Sequence, residues 1–201
     1  MSTAEKLVAA AAALLDAGGE SAVTLRAVGH AIGVSHNAPY KHFKDRGALL
    51  AAVAIVDFET LTDAFAAIRT SVGEPLPKLK HALDVFIRYG RDYPARYRLL
   101  FSDPDIAAQG GHLEQAALRT FFEFSGIIAE CQTTRDLPAT SNVKLTSLVF
   151  ATLHGLIDLE SGGRMRHEKG LSSPSESMQL LTTLLGQSAK PPLIKKTTSG
   201  R

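Results

Sequence analysis

Apolar residues recur at helical spacing along nearly the whole chain, and strand-like alternation is nearly absent. The first apolar stripe follows a capping box formed by Ser2 and Glu5, and it ends at the pair Gly18-Gly19. Its apolar positions fall on one face of a helix predicted over about residues 3–17, and they are Leu7, Val8, Ala11, Leu14 and Leu15.

Two shorter helices are predicted next, and with the first they form a small head. Thr24 is expected to cap a helix over about 25–32, and Gly33 breaks the chain after it. Ser35 is placed to cap a very short third helix over about 36–42. A helix, a tight turn at glycine and a short second helix form a helix-turn-helix, whose second helix enters the major groove of DNA.

The later stripes predict a larger helical body. Asp45 is expected to cap a long helix that runs to about Gly73, five more helices follow, and residues 102–111 are predicted to be a loop. The predicted fold is all-α with about nine helices. Its parts are a helix-turn-helix domain over 1–47, a helical-bundle regulatory and dimerisation domain over 48–188, and a disordered tail over 189–201.

Composition narrows the class of protein further. Hydrophobic residues make up 45% and charged residues 21% of the 201, which is ordinary for a folded soluble chain. The single Cys131 excludes a disulfide framework within one chain and is typical of a reducing compartment. The Ala-rich run Ala9–Leu15 is far short of the ~20 residues that span a bilayer, and no signal peptide is visible. We therefore predict a cytoplasmic protein.

The charges are unevenly distributed along the chain. The formal net charge is only +2, yet residues 26–46 hold four basic side chains against the single acid Asp45. Residues 48–189 carry more acids than bases, and the tail from Lys190 carries basic residues alone. A basic head on an acidic body favours a polyanionic partner for the head.

The predicted third helix carries side chains suited to reading DNA. With Ser35 as its cap, His36, Asn37 and Ala38 form the exposed first turn, which points at base edges. Asn37 can form two hydrogen bonds with an adenine edge, and Ala38 leaves room for a thymine methyl group. His36 can reach either a base or a phosphate.

The rear of the same helix carries groups suited to phosphate. Tyr40, Lys41, His42 and Lys44 lie where a helix meets the sugar-phosphate strand, and hydroxyl and ammonium groups bind phosphate whatever the sequence. Arg46 adds charge at a helix start, where free N–H groups favour an anion. Taken singly, Tyr40 could be a core aromatic, and His42, Lys41 and Lys44 could be plain surface residues.

The segment TLRAVGHAIGVSHNAPYKHFKDRGALL, residues 24–50, resembles the DNA-binding domain of the TetR family of transcriptional regulators. The shared features are Thr-x-Arg, the Gly-Val turn, and Tyr-x-His-Phe followed by a basic residue. The resemblance implies that Thr24, Tyr40, His42 and Arg46 contact phosphate. It implies that Arg26, His36, Asn37 and Ala38 contact bases, although Arg26 could instead pair with Glu20 or Asp16. Pro39 departs from the leucine that many members carry.

A second resemblance concerns the body. Residues 150–162, FATLHGLIDLESG, are similar to the His-Gly-centred helix of a TetR C-terminal subclass labelled WHG, although the tryptophan is missing. This resemblance implies a homodimer through the last two helices and a pocket inside the fourth to seventh helices. Candidate residues for binding a small molecule are Phe86, Tyr89, Tyr97, Phe101, Phe122 and His154. For His154, packing at a helix crossing beside Gly155 is the alternative.

Three functions remain at this point. The leading hypothesis is a dimeric repressor that binds a pseudo-palindromic operator in double-stranded DNA and is released by a small-molecule ligand. The second is a DNA-binding regulator without a ligand, whose body serves only dimerisation or recruitment. An enzyme is disfavoured, because the sequence shows no glycine-rich phosphate loop, metal-ligand spacing or Ser-His-Asp grouping. We therefore predict no catalytic residue, no metal and no cofactor.

Overall fold

The computed structural model describes residues 1–165 and 167–189, and within these ranges the chain is all-helical. The helices of the head are α1 (Thr3–Gly18) and α2 (Leu25–Ala31), followed by a 3-10 turn (Pro39–Lys41). The helices of the body are α3 (Arg46–Thr70), α4 (Pro75–Asp92), α5 (Pro94–Phe101), α6 (Pro104–Ala107), α7 (Gly111–Thr133), α8 (Asn142–Ser161) and α9 (Pro174–Ala189). The predicted all-α class is confirmed.

The helix starts of the head follow from local side-chain chemistry. Ser2 and Glu5 form the predicted capping box, each accepting the other's backbone N–H. Thr24 Oγ1 accepts the N–H of Ala27 at 3.0 Å, and Asp45 Oδ1 accepts the N–H of Ala48 at 2.7 Å. These three predicted caps are confirmed, and they set where α1, α2 and α3 begin.

The predicted helix over 36–42 is wrong in its type. The backbone forms successive turns closed mainly by hydrogen bonds between residues three apart: Ala38 N–H donates to the Ser35 carbonyl at 2.9 Å and Lys41 N–H to the Ala38 carbonyl at 3.2 Å. One bond of the α-helical type follows, from Phe43 N–H to the Pro39 carbonyl at 2.9 Å. Pro39 has no N–H to donate, so a regular helical bond to Ser35 cannot form there. The predicted cap at Ser35 is also wrong, because Ala38 precedes the 3-10 turn without a side-chain cap and Ser35 closes its own turn through its backbone carbonyl. The second element of the helix-turn-helix is therefore a compact pair of turns, which we call the recognition turn, residues 35–44.

A contact between Pro39 and Gly29 holds the recognition turn on α2. Pro39 is buried, and a Cβ atom at Gly29 would lie only 3.0 Å from Pro39 Cγ. The absence of a side chain at Gly29 lets the proline ring rest directly on the α2 backbone. The chain reaches this position through Gly33, whose positive φ of 72° makes the turn after α2.

The body is built around α3, which begins just after the recognition turn and packs along α7. Phe65 of α3 stacks with Phe86 of α4 and contacts Phe124 of α7, so three helices meet at one aromatic centre. The predicted loop over residues 102–111 contains the short helix α6. Asp103 caps it by accepting the N–H groups of Asp105 and Ile106.

An ion network ties the head to the body. Arg96 of α5 binds both carboxylate oxygens of Asp16, at the end of α1, at 2.9 and 2.5 Å. It also donates to Asp57 of α3 at 3.2 Å, and the hydroxyl of Tyr89 of α4 donates to the other oxygen of Asp57 at 3.1 Å. Asp57 is only 5% exposed, whereas Asp16 is exposed. The network therefore connects α1 at the surface to three body helices around one buried carboxylate.

Two further predictions concern membrane spans and the C-terminal tail. No helix of the described ranges is long and apolar enough to span a membrane. The predicted disordered tail, residues 189–201, lies outside the described residues apart from Ala189.

Candidate nucleic-acid interface

The recognition turn presents its candidate side chains on the surface. Tyr40 is 57% exposed although it is a large aromatic residue, while its neighbour Pro39 is buried. A shallow depression is lined by Tyr40, His36 and Arg26, so the structure brings the turn and α2 together at one surface. The other exposed candidates nearby are Thr24, Ser35, Asn37, Lys41, His42 and Lys44, and Ala38 is half-buried among them.

The hydrogen-bond capacity of this surface remains largely free. Among the described residues, Arg26 forms no ion pair, because Glu20 pairs with Arg46 and Asp16 with Arg96. The hydroxyl of Thr24 accepts the N–H of Ala27 and keeps its own proton for an outside acceptor. Lys44 is 77% exposed at its side chain, and its nearest acid, Asp45, lies 4.0 Å away. Such a surface suits the oxygens of a phosphate backbone.

Arg46 has a structural task that the sequence did not reveal. Its Nε donates to the carbonyl of Val23 at 2.8 Å, and its Nη2 donates to the carbonyl of Glu20 at 2.6 Å. It also pairs with the Glu20 carboxylate at 3.4 Å. The arginine thereby joins the start of α3 to the segment between α1 and α2, and two of its nitrogens are engaged within the protein.

The ligand-site candidates only partly converge. Tyr97 and His154 form a hydrogen bond of 2.5 Å between the tyrosine hydroxyl and Nδ1, and the rings of Phe86 and Phe101 contact both. The ring of Phe150 lies 4.3 Å from His154 and completes the cluster. Phe150 was not among the predicted residues, although its position four residues before His154 in α8 was a usable signal.

His154 is the polar centre of this aromatic cluster. Burial lowers its pKa to about 4, so the imidazole is neutral near pH 7. Its Nε2 atom is buried and has no hydrogen-bond partner among the described residues. Burial also raises the pKa of Tyr97, which keeps that hydroxyl protonated. The pair therefore offers one unsatisfied polar atom inside apolar walls.

Two ligand-site candidates lie elsewhere. The side chain of Phe122 is 63% exposed, because it lies on a face of α7 that stays largely exposed in the described chain. Tyr89 is buried, but its hydroxyl donates to Asp57 in the ion network on the head side of α4. In the described part of the chain, neither ring makes an aromatic contact with the rings around His154. The structure therefore gives no support to including these two residues in a pocket there. Among the described residues, no group of three His, Cys, Asp or Glu side chains is placed to hold a metal.

We expect Arg46→Ala to lower the free energy of unfolding by about 1–2 kcal/mol, because two backbone carbonyls lose a charged donor. Lys44→Ala removes a neighbouring positive charge that makes no such bonds, and we expect a change within about 0.5 kcal/mol. Urea unfolding of the two variants measures the difference. Equal stability in both would contradict the structural role of Arg46.

Two family models match the sequence. The model described as "Bacterial regulatory proteins, tetR family" matches residues 7–53, which contain the recognition turn. The model described as "Tetracyclin repressor-like, C-terminal domain" matches residues 79–185, which is more than half of the chain. A search among curated proteins found no match.

Solved structures show the same fold. A protein with unknown function from Rhodococcus sp. RHA1 is 23% identical with a TM-score of 0.78, and the match covers 94% of this chain and 95% of that chain. A transcriptional regulator of the TetR/AcrR family from Thermobifida fusca is 20% identical with a TM-score of 0.64, covering 94% and 98%. The fatty acid degradation regulator FadR from Bacillus halodurans is 11% identical with a TM-score of 0.70, covering 92% and 95%.

The matched models account for both the head and the body, and the neighbours share the arrangement of helices over nearly the full length. The chain therefore belongs to the TetR family of DNA-binding transcriptional regulators.

Proposed function

We propose that the protein is a cytoplasmic, dimeric repressor that binds a pseudo-palindromic operator through its recognition turn. The observation that carries this proposal is the exposed group formed by His36, Asn37 and Tyr40 beside Arg26, on a turn held rigidly by Pro39. A rigid element with free polar side chains loses little conformational entropy on binding. The protein acts by occupying DNA, and we assign it no catalytic role.

The base-reading and phosphate-binding roles divide along the turn. Asn37 and His36 lie in the first turn, where they are exposed and can reach base edges. Tyr40, Lys41 and His42 follow in the 3-10 turn and just after it, where they meet the strand beside the groove. We also assign a phosphate-binding role to Thr24 and Lys44. Arg46 can share this role only through the N–H donors that do not already bind Glu20 and Val23.

The proposed dimer forms through α8 and α9. Leu148 and Leu159 of α8 are 52% and 42% exposed, and Leu180 and Leu184 of α9 are 60% and 52% exposed. Gly155 lies between the two leucines on the exposed face of α8, and a Cβ atom there would meet nothing within 4 Å among the described residues of the same chain. An apolar face with a glycine at its centre fits a close crossing with the same face of a second copy.

Ligand control is part of the same proposal. The unsatisfied Nε2 of His154, enclosed by Phe86, Phe101 and Phe150, supports a site where a small molecule supplies the missing partner. In the alternative, the body only dimerises, and the close contacts among these rings leave no space for a ligand. A ligand there would act by binding more tightly to a dimer conformation that does not fit the operator. The coupling free energy between ligand binding and DNA binding is typically about 1–3 kcal/mol.

We expect Gly155→Leu to convert the dimer to monomer without harming the fold. Leucine is the better helix former by up to about 1 kcal/mol, and the space around Gly155 is open in the single chain. Sedimentation velocity measures the mass. The matched control is Ala13→Leu, which adds a leucine to an exposed position of α1 and should leave the dimer intact. A Gly155→Leu protein that remains dimeric would rule out α8 as the contact.

The operator-binding proposal is tested by selection from a random DNA pool. We expect the wild-type protein to enrich two half-sites centred about 34–36 Å apart. Asn37→Ala should lose the preference at one base pair in each half-site, at a cost of about 1–3 kcal/mol. Tyr40→Phe should weaken the selected site and random DNA by the same factor, because phosphate contacts carry no sequence information.

The two variants make the test specific to the recognition turn. A base preference unchanged by Asn37→Ala would remove Asn37 from the reading group. A Tyr40→Phe protein that binds random DNA normally but the selected site weakly would contradict the phosphate role. Failure of the wild-type protein to enrich any sequence would contradict the proposal as a whole.

A further inference from the structure

A groove of about 650 Å³ runs between α1 of the head and the first half of α3. Phe43, near the end of the recognition turn, contributes to its lining, and none of its lining residues belongs to the cluster around His154. Its walls are apolar and many are alanines, so the two helices do not fill the space between them. The wall residues that matter here are Ala4, Val8, Ala12, Phe43, Ala52 and Val56.

The polar part of the groove lining carries an unbalanced charge. Glu5, Asp57 and Arg96 are the charged side chains of the lining. Glu5 pairs with the N-terminal ammonium of Met1 at 3.9 Å. Arg96 binds Asp57 and also Asp16, which lies just outside the lining. Two carboxylates thus share one guanidinium, and among the described residues no other basic side chain pairs with either acid. With its three groups ionised, the cluster carries one net negative charge. Water screens the buried Asp57 carboxylate weakly, whereas Asp16 is exposed at the other end of the cluster.

The environment of Asp57 shows the cost of this charge. Burial raises the pKa of its carboxyl above the ordinary value, although the attraction of Arg96 and the hydrogen bond from Tyr89 act in the opposite direction. A positive group placed in the groove would stabilise the ionised carboxylate. A negative group would meet the same uncompensated charge and be repelled.

We propose that this groove binds a lipophilic organic cation of small-molecule size. The volume lies within the range of about 300–1,000 Å³ that is typical of small-molecule sites. The alanine and valine walls remove the apolar part of such a molecule from water, and the Asp57–Arg96–Asp16 cluster attracts its charge. Shape and charge sign together select this class.

An occupant would touch the head and the body at once. Val8 and Ala12 belong to α1, Val56 and Asp57 belong to α3, and Arg96 belongs to α5. The same cluster holds α1 against the body. A molecule bound in the groove would therefore contact the residues that fix the position of the head on the body. Its use as a control site rests on the proposed function, whereas binding itself does not.

The test is isothermal titration calorimetry with tetraphenylphosphonium and tetraphenylborate, which share a shape and differ in the sign of their charge. We expect the cation to bind at least about tenfold more tightly than the anion, equivalent to about 1.4 kcal/mol. No DNA is present, so failure of the operator-binding proposal leaves this measurement unaffected, and failure here leaves that proposal standing.

Two variants locate the site, each with a matched control. Ala9→Phe fills the groove from an exposed position of α1 that lines it, and Asp57→Asn removes the charge; each should weaken cation binding about tenfold. Ala13→Phe on the same helix and Asp63→Asn on α3 lie outside the lining and should leave the affinity unchanged. Circular dichroism confirms folding.

Two results would overturn the proposal. One is an anion that binds as tightly as the cation. The other is an Ala9→Phe protein that binds the cation as tightly as the Ala13→Phe control does. If the Asp57→Asn protein is unfolded, the comparison of Ala9→Phe with Ala13→Phe alone tests the proposal. Both of those positions are exposed on the surface of α1, so these substitutions should leave the fold intact.

Discussion

The contact between the ring of Pro39 and the α-carbon of Gly29 determines which side chains of the recognition turn are exposed to a binding partner. Proline removes the amide that a regular helix would need, and glycine lets the ring pack directly on α2. The result is a pair of turns whose inward side is buried by Pro39 and whose outward side carries Tyr40 at 57% exposure. The exposed polar group at the head depends on this arrangement.

The head in turn depends on two arginines that bind it to the body. Arg46 joins the start of α3 to the carbonyls of Glu20 and Val23, and Arg96 joins the end of α1 to Asp57. Both arginines use charge-assisted bonds between elements far apart in sequence, which hold a geometry that apolar contacts alone would leave free to slide. The position of the recognition turn relative to the body is therefore set at identifiable bonds, and the groove beside Arg96 lies at one of them.

What the sequence predicted well was local. The caps at Thr24 and Asp45 depend on residues three positions away, and the structure confirms them. The predicted type of the third helix was wrong, although Pro39, which prevents a regular helix there, was visible in the sequence. The turn that replaces the helix depends on how Pro39 packs on Gly29, which the sequence does not show. The partners of Arg46 lie 23 and 26 residues away, beyond any periodic signal.

The body shows the same limit. Helical periodicity indicates which residues share a face, but it cannot tell which faces a neighbour covers. Phe86, Tyr97, Phe101 and His154 meet because α4, α5 and α8 cover one another there, whereas Phe122 lies on a face of α7 that stays exposed in the described chain.

The most direct measurement of the central claim is DNA cleavage from an iron–EDTA group tethered at Lys41→Cys. The native Cys131 is fully buried and burial raises its pKa to about 12, so only the new thiol is labelled. We predict two cleavage patches on the selected DNA, separated by about one helical turn. The same cleavage from a tether at Val72→Cys, a fully exposed position just past the far end of α3, would contradict the account.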